Sequence, residues 1–226
     1  MCGRFLIYAL GRDVAELFGL PDVPSFPPRY NVAPTQTVPV VRQTPEGRAA
    51  ANMRWGLIPS WAKDPSIGNR SINARCETAA TKPSFRSAFK HRRCLVPANG
   101  FYEWKAARPR KQPFVVRPKS EGLFAFAGLW EGWRDGDGDS LETFTILTTA
   151  ANDLLRPCHD RMPVIVARED FDTWLDTARA DTDVARLFEP FPAANLSVTP
   201  VSTWVNDARH EGARCLDPPD GEPRTE

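Results

Sequence analysis

The chain of 226 residues holds 22 prolines against 14 glycines, and this proline content constrains the fold more than any other feature. Proline lacks a backbone N–H and fixes φ, so it interrupts helices and occupies strand edges and ordered loops. Long helical bundles and coiled coils are therefore excluded. The chain is 42% hydrophobic and 25% charged, which is typical of a globular protein and not of a disordered one.

Short runs of β-branched and aromatic residues recur along the chain and predict a sheet-rich core. They cover residues 37–41, 93–96, 113–116, 123–133, 142–149, 163–166 and 196–204. The segment Asp135-Gly136-Asp137-Gly138 separates two of these runs and predicts a hairpin turn. Helical spacing of apolar residues appears only in residues 13–20, 84–91 and 168–177.

These patterns predict an α+β fold: a single domain with a curved, barrel-like antiparallel β-sheet core and peripheral helices. The domain is expected to span residues 1–216, because no linker rich in Gly or Ser divides the chain. Residues 217–226 are polar and rich in proline, so they are expected to form a disordered tail.

Several function classes are excluded by composition. No stretch approaches the ~18 apolar residues of a membrane span, and no signal-peptide core follows Met1, so we expect a cytoplasmic protein. Five cysteines without a CxxC pair are expected to be reduced thiols. The same scattering gives no paired ligand spacing for zinc, so neither a metal nor a cofactor is predicted.

The formal net charge of +1 conceals a strong asymmetry along the chain. Residues 54–117 contain 14 basic and 3 acidic side chains, a net of +11, whereas residues 118–226 contain 10 and 21, a net of −11. A basic segment of this size is typical of a phosphate-binding face. A solvated basic surface neutralised across the fold is an equally good interpretation of the charge alone.

Cys2 is the residue with the most informative position. Methionine aminopeptidase normally removes Met1 before a small residue, which would leave a cysteine with a free α-amine beside its thiol. The reference pKa values of these groups, about 8 and about 8.5, leave part of each nucleophilic near neutral pH. An aldehyde can condense with such an amine to an imine, and the thiol can then close a five-membered thiazolidine. The alternative is that Cys2 belongs to a frayed terminus without function.

Two further side chains have surroundings suited to proton transfer. Glu103 lies between Tyr102 and Trp104 on a predicted strand, where burial would raise its pKa toward general-acid use. The alternative for Glu103 is an exposed pair with Lys105. His159 is followed by a carboxylate and a guanidinium, Asp160 and Arg161. His91 and His210 have no such pair of charged neighbours and are expected to be structural.

Six ordered motifs together resemble the SOS response-associated peptidase (SRAP) family of abasic-site processing proteins. They are Cys2-Gly3-Arg4-Phe5, Tyr30-Asn31-Val32-Ala33-Pro34, Trp55-Gly56-Leu57-Ile58-Pro59-Ser60-Trp61, Ile72-Asn73-Ala74-Arg75-Cys76-Glu77-Thr78, Gly100-Phe101-Tyr102-Glu103-Trp104 and His159-Asp160-Arg161-Met162-Pro163. The segment Pro200-Val201-Ser202-Thr203 is similar to the closing strand of the family, so the resemblance covers nearly all of the chain except the tail.

The resemblance implies recognition of abasic sites in single-stranded DNA and a covalent crosslink to Cys2, which would shield the lesion in the DNA damage response. It implies that Asn73 positions the amine and the sugar, that Glu103 transfers protons, and that His159 assists ring opening or the Schiff-base steps. It further implies that Arg4, Asn31, Arg75 and Arg161 bind DNA, the three arginines through phosphates, and that Pro34 and Trp61 stack on bases beside the lesion.

Two other functions remain as alternatives. One is a thiol autopeptidase that processes its own N-terminus, since cysteine, histidine and asparagine are all present. The other is a non-covalent single-stranded DNA-binding module that needs only the basic segment and the tryptophans. Lyase activity is a further candidate activity that would accompany crosslinking. We expect a monomer whose partner is abasic single-stranded DNA, with association to the nucleoid when DNA is bound and the replication machinery as a further candidate partner.

Overall fold

A computed structural model gives the fold and describes residues 2–106, 111–120, 122–179 and 181–219. The strands in these residues are β1 (Phe5–Ile7), β2 (Arg29–Val32), β3 (Thr37–Thr44), β4 (Gly47–Trp55), β5 (Asn73–Arg75), β6 (Arg93–Ala98), β7 (Gly100–Lys105), β8 (Gln112–Pro118), β9 (Phe124–Arg134), β10 (Ser140–Ala150), β11 (Arg161–Pro163) and β12 (Leu196–Pro200). The α-helices are α1 (Gly11–Phe18), α2 (Cys76–Ala79), α3 (Arg86–His91), α4 (Phe171–Leu175) and α5 (Asp181–Ala185). Short 3₁₀ helices cover Pro65–Arg70, Arg168–Asp170, Arg186–Phe188, Ala193–Asn195, Thr203–Asn206 and Ala213–Leu216.

Five strands close into a barrel in the order β10, β4, β3, β6, β9 and back to β10. All neighbours are antiparallel except β10 and β4, which are parallel through the pairs Thr143↔Arg54 and Phe144↔Trp55. Beyond the end of β4, the short strand β5 continues the parallel pairing along β10, and β11 pairs with the last residues of β10 from the other side. β5 and β11 therefore flank the end of β10, one on each side.

A second, antiparallel sheet has the strand order β12, β8, β7, β1, β2. One face packs on the barrel, and Phe5, Phe101 and Val116 join its core. On the other face a second cluster of Leu6, Tyr102 and Val115 is covered by Val205 and Cys215 of the C-terminal segment. In the same segment His210 stacks on Trp204 with ring centroids 3.5 Å apart, which fits its expected structural role.

The predicted α+β architecture with a barrel-like core and peripheral helices is confirmed. The hairpin turn at residues 135–138, the three helical segments and most of the predicted strands are present. Two predicted strands have different limits. The run predicted at 163–166 overlaps the observed strand β11 (Arg161–Pro163) only at Pro163. The run predicted at 196–204 is a strand only as far as Pro200, and a 3₁₀ helix begins at Thr203.

The sequence patterns failed to predict four strands, which are β1, β2, β4 and β5. Residues Arg29–Val32 lack a predicted run, yet they form β2 because β1 supplies a paired edge. Strand β4 is rich in alanine and has low intrinsic β-propensity, and its pairing with β3 along eight residues decides its conformation.

The described residues also bear on the cysteines and the tail. All five cysteines are unpaired thiols, as expected. Of the tail segment, the carbonyl of Asp217 accepts a hydrogen bond from the Ser202 N–H at 2.8 Å, while residues 220–226 lie outside the described residues. The disorder of the tail stays a prediction.

Candidate functional site

Cys2 lies two residues before Arg4, at the start of the chain that enters β1, and its side chain is completely buried. Strand β7 runs antiparallel to β1 with Phe5 opposite Phe101, and the Tyr102 N–H donates to the Arg4 carbonyl at 2.9 Å. This register carries β7 past the N-terminal residues. Burial, and next the negative charge of Glu103, raise the pKa of the Cys2 thiol, so the thiol is protonated in this environment.

Asn73 contacts Cys2 directly. It begins β5, which is fixed on β10 by the pair Ile146↔Asn73, and its Nδ2 donates to the Cys2 carbonyl at 2.8 Å. The Oδ1 atom of the same amide is buried and accepts no hydrogen bond from any described residue. A buried acceptor left in this way costs about 1–3 kcal/mol, and here it lies beside Cys2.

Glu103 is 4% exposed and lies on β7 level with the N-terminal residues. Its predicted burial is therefore confirmed, and the alternative of an exposed pair with Lys105 is wrong. Desolvation by burial is the largest cause that raises the pKa of this carboxyl, from 4.5 to about 7. A carboxyl with that pKa is protonated and ionised in similar proportions at neutral pH, which suits a group that both gives and takes a proton.

His159 precedes β11 and is half-buried. Its Nδ1 accepts a hydrogen bond from the Arg161 N–H at 3.0 Å and also lies 2.7 Å from the Asp160 carboxylate. Desolvation is the first cause that lowers the pKa of His159 below its usual value, and the Asp160 charge opposes it. The neutral ring is therefore the form favoured at neutral pH.

Arg4 and Asn31 form one internal network. The Arg4 guanidinium donates to Asn31 Oδ1 at 2.7 Å and to the Val205 carbonyl at 3.0 Å, while Asn31 Nδ2 donates to the carbonyls of Asp207 and His210. Asn31 is 0% exposed. The predicted contact of Asn31 with DNA therefore does not fit its placement, because no surface of the side chain is accessible; Asn31 instead fixes Arg4 and the C-terminal segment.

Pro34 lies in the turn between β2 and β3, and this turn is unusually constrained. The neighbouring Thr35 has φ of 73°, the only positive φ of a non-glycine residue in the described part of the chain. A β-branched residue is rare in this conformation and strained there. Its N–H donates to the Trp55 carbonyl at 2.8 Å, and Gln36 Oε1 accepts from Ala33 N–H, so the turn is held beside residues 2–4.

Trp61 lies on an exposed loop at the end of β4, and 61% of the side chain is accessible. The loop starts at Gly56, whose φ is 123° and whose backbone packs on Gly68 so closely that a Cβ would lie 2.6 Å from the Gly68 carbonyl oxygen. Trp133 Nε1 holds the loop by donating to the Ala62 carbonyl at 2.7 Å. A large exposed aromatic ring on an anchored loop is suited to stacking.

The two remaining arginines differ in their surroundings. Arg75, at the end of β5, is exposed. Arg161 is largely buried and makes a bidentate ion pair with Glu77 at 2.5 and 2.9 Å, and it also donates to the Thr148 carbonyl. The Arg161 hydrogen bonds lower the pKa of Glu77 to about 2. Arg161 would have to exchange Glu77 for a phosphate in order to bind DNA.

The structure thus brings Cys2, Asn73 and Glu103 together from three separate segments, with His159 on the adjoining strand connection. Within the described residues, no group of three or more His, Cys, Asp or Glu side chains has the arrangement of a metal site. No helix of the described chain is long and apolar enough to cross a membrane.

Comparison with known proteins assigns the family. The model of the family described as SOS response associated peptidase (SRAP) matches residues 1–208, and the chain belongs to this family. The abasic site processing protein YoqW of Bacillus subtilis is 40% identical over 222 residues, covering 96% of this chain and 99% of YoqW. The abasic site processing protein YedK of Escherichia coli is 31% identical, covering 96% of this chain and all of YedK.

A solved structure supports the fold. The crystal structure of a protein from Bacteroides thetaiotaomicron superposes with a TM-score of 0.87 at 26% identity, covering 96% of this chain and 99% of that protein.

Proposed function

We propose that this protein processes abasic sites in single-stranded DNA and forms a thiazolidine crosslink to them through Cys2 once Met1 has been removed. The observation that carries the proposal is the Asn73 amide, which holds the Cys2 carbonyl through Nδ2 and presents a buried Oδ1 without a donor beside the same residue. The names of the relatives, abasic site processing proteins, support the substrate class.

The chemistry needs no oxidant or external cofactor. The ring-opened abasic sugar presents an aldehyde, and the α-amine of Cys2 adds to its carbon to give a carbinolamine. Loss of water gives the imine. The Cys2 sulfur then adds to the imine carbon, the thiol proton leaves, and the nitrogen gains a proton, so that one water is released for each crosslink.

Glu103 is suited to move the protons in these steps. With a pKa of about 7, it can donate to the departing hydroxyl and afterwards accept the thiol proton. This second role matters because the buried thiol of Cys2 has a raised pKa and attacks only if a base removes its proton. The charge of Glu103 is among the causes that raise the pKa of the Cys2 thiol, which supports their closeness.

Asn73 and His159 complete the proposed chemistry. Asn73 Oδ1 would accept an N–H of the new terminal amine and orient its lone pair toward the sugar. His159, with a neutral ring, would assist opening of the deoxyribose ring by proton exchange with the sugar hydroxyls.

Pro34, Trp61, Arg4, Arg75 and Arg161 would guide the DNA. Trp61 and Pro34 present apolar surface to bases beside the lesion, with stacking typically worth ~1–3 kcal/mol per base. Arg75 is the exposed cation at the site, whereas Arg4 and Arg161 act through their internal networks unless DNA displaces a partner. The expected DNA role of Asn31 becomes one of supporting Arg4.

An intact-mass measurement tests the proposal. Mature protein mixed with abasic single-stranded DNA should give a species of protein mass plus oligonucleotide mass less one water, stable to denaturation. Cys2→Ala should abolish this species, and Cys94→Ala, which removes a buried thiol of strand β6 in the barrel, should retain it. A form with an uncleaved N-terminal extension keeps the thiol but lacks the amine, and it should give no stable adduct. Adduct from either the Cys2→Ala or the extended form refutes the thiazolidine.

The autopeptidase alternative receives less support from the geometry. A cysteine protease needs a thiolate, which a nearby imidazolium stabilises, whereas burial raises the pKa of Cys2 and the Nδ1 of His159 bonds to the Arg161 N–H. Sequencing of the N-terminus from cells lacking methionine aminopeptidase separates the two: retention of Met1 counts against self-cleavage. The non-covalent module is refuted by the adduct itself. The monomeric state, the nucleoid association, lyase activity and contact with the replication machinery are further parts of the proposal.

A further inference from the structure

An open polar cavity of about 520 Å³ lies on the outer face of the five-stranded sheet, away from Cys2. It is lined by residues from the end of β1, the end of β8 and the start of β12, including Tyr8, Asn99, Arg117, Lys119 and Ser197. The pairs Leu6↔Gly100 and Ser197↔Arg117 bring these strand ends to the same part of the sheet. The chemistry derived for Cys2 uses none of them.

Two cations of the cavity have no described anionic partner. Neither the Arg117 guanidinium nor the Lys119 ammonium forms an ion pair or hydrogen bond with a described residue. Arg117 is half-buried, and its stem packs on Gly100, where a Cβ would lie 2.9 Å from Arg117 Cγ. The described lining residues include no carboxylate. The described part of the lining is therefore positively charged, and Arg117 is held in part by packing.

Asn99 adds a hydrogen-bond donor of fixed direction. Its Oδ1 accepts from the backbone N–H groups of Tyr8 at 2.7 Å and Ala9 at 2.9 Å, which settles the orientation of the amide. The Nδ2 group, with two N–H donors, is then directed away from this backbone on a residue that lines the cavity. A guanidinium, an ammonium and an oriented amide are the groups that bind phosphate oxygens.

Aromatic side chains border the cavity. Tyr8 and Tyr30 are half-buried and stacked in parallel, with ring centroids 5.1 Å apart. Half-exposed aromatic rings beside cations on a sheet face are the combination by which proteins follow a single strand of nucleic acid.

We propose that Asn99, Arg117 and Lys119 form a phosphate-binding subsite that holds the DNA strand several nucleotides from the lesion. Six residues of extended chain separate Cys2 from Tyr8, which places the subsite roughly 20 Å from the reactive cysteine. The site itself stands on its cations and amide, whereas the choice of a DNA strand as the source of the phosphate rests on the proposed function. A free phosphorylated small molecule offers the same chemistry.

The first experiment measures DNA affinity with undamaged single strands, so that it does not depend on crosslinking. The double variant Arg117→Gln/Lys119→Gln should bind a 20-nucleotide strand more weakly than wild type, and the salt dependence should fall by about 0.7 in log–log slope for each phosphate that the variant no longer neutralises. The loss of affinity should shrink for a 2-nucleotide strand, which is too short to span the distance between the two sites. Arg179→Gln/Arg186→Gln removes two exposed cations elsewhere and serves as the matched control.

The second experiment follows the side-chain amide resonance of Asn99 by NMR during titration with inorganic phosphate. The subsite predicts a saturable shift in the wild-type protein that is lost in Arg117→Gln/Lys119→Gln but kept in the control variant. Crosslinking to a 2-nucleotide abasic strand should proceed at the wild-type rate in all of these proteins.

The outcomes separate the claims. A length-dependent loss of affinity together with the Asn99 shift supports a strand subsite. The Asn99 shift without any length dependence overturns the DNA strand as ligand and assigns the site to a free phosphate compound. Absence of both results overturns the subsite. Failure of the wild-type protein to crosslink would refute the proposed function while leaving the phosphate titration as an independent result.

Discussion

Replacement of Glu103 by Gln should make the protein more stable at alkaline pH while it impairs the chemistry. Gln has nearly the shape of the protonated carboxyl, so the substitution removes the charge without opening a cavity. Glu103 is 4% exposed, and the cost of burying its charge is the main reason for its raised pKa. The structure therefore predicts opposite effects of one substitution on stability and on crosslinking.

The magnitude follows from the pKa values of the folded and unfolded states. An increase from 4.5 to about 7 means that the folded state binds this proton more tightly, so the free energy of unfolding falls as the pH rises between these values. At about 1.4 kcal/mol per pH unit, the loss is about 3 kcal/mol once the pH exceeds 7. Glu103→Gln has no carboxyl to ionise, so its free energy of unfolding does not fall in this way.

Urea unfolding between pH 4.5 and pH 8.5, followed by tryptophan fluorescence, measures the effect. The wild type and Glu103→Gln should have nearly equal free energies of unfolding at pH 4.5, and the variant should exceed the wild type by up to about 3 kcal/mol at pH 8 with an unchanged m-value. In the same preparation, both formation and reversal of the adduct should be slower in a timed gel assay.

Glu77→Gln provides a control of opposite sign. The ion pair with Arg161 lowers the pKa of Glu77 to about 2, so it stabilises the fold above pH 4.5, and this contribution is lost as the pH falls toward 2. This variant should be less stable than the wild type at neutral pH. A Glu103→Gln protein that is less stable than wild type at pH 8 would refute the reasoning, and unchanged crosslinking rates would remove Glu103 from the mechanism.

Three further substitutions test the parts of the site separately. Thr35→Gly relieves the positive φ and should raise the unfolding midpoint, yet it should slow crosslinking at saturating DNA because the Pro34 turn loses its fixed position; equal rates would show the strain to be irrelevant to function. Trp61→Ala should lower affinity for single-stranded DNA by about 1–3 kcal/mol in a fluorescence anisotropy titration, with little change in stability; unaltered binding would exclude stacking. Asn31→Ala leaves several buried carbonyls and Arg4 without their partner and should reduce the free energy of unfolding by about 2–3 kcal/mol in urea; a change below about 0.5 kcal/mol, the usual limit for surface substitutions, would contradict the internal role.

The sequence determined the class of fold because local physics dominates it. Prolines limit the helices, of which the longest described α-helix has eight residues, and alternating β-branched and aromatic residues define most strands. The chemical identity of Cys2, Asn73, Glu103 and His159 could also be read from their motifs. The burial of Glu103 was predicted from its place on an aromatic-rich strand, but the structure decided its face: Glu103 alternates with Tyr102 and Trp104 and lies on the side of Phe101.

Contacts between distant segments were decided only by the tertiary structure. The hydrogen bond from Asn73 to Cys2 spans 71 positions of sequence and depends on β5 lying parallel to β10, a pairing without a local signal. Asn31 was predicted to contact DNA, but it is buried and supports Arg4 instead. Arg161 was predicted to bind phosphate, but it forms an ion pair with Glu77. The strain at Thr35 and the cavity at Arg117 had no sequence signature either, because both arise where neighbouring strands fix a backbone or side chain. A motif names candidate reacting groups, but their ionisation depends on solvent exclusion and nearby charges, which exist only in the folded chain.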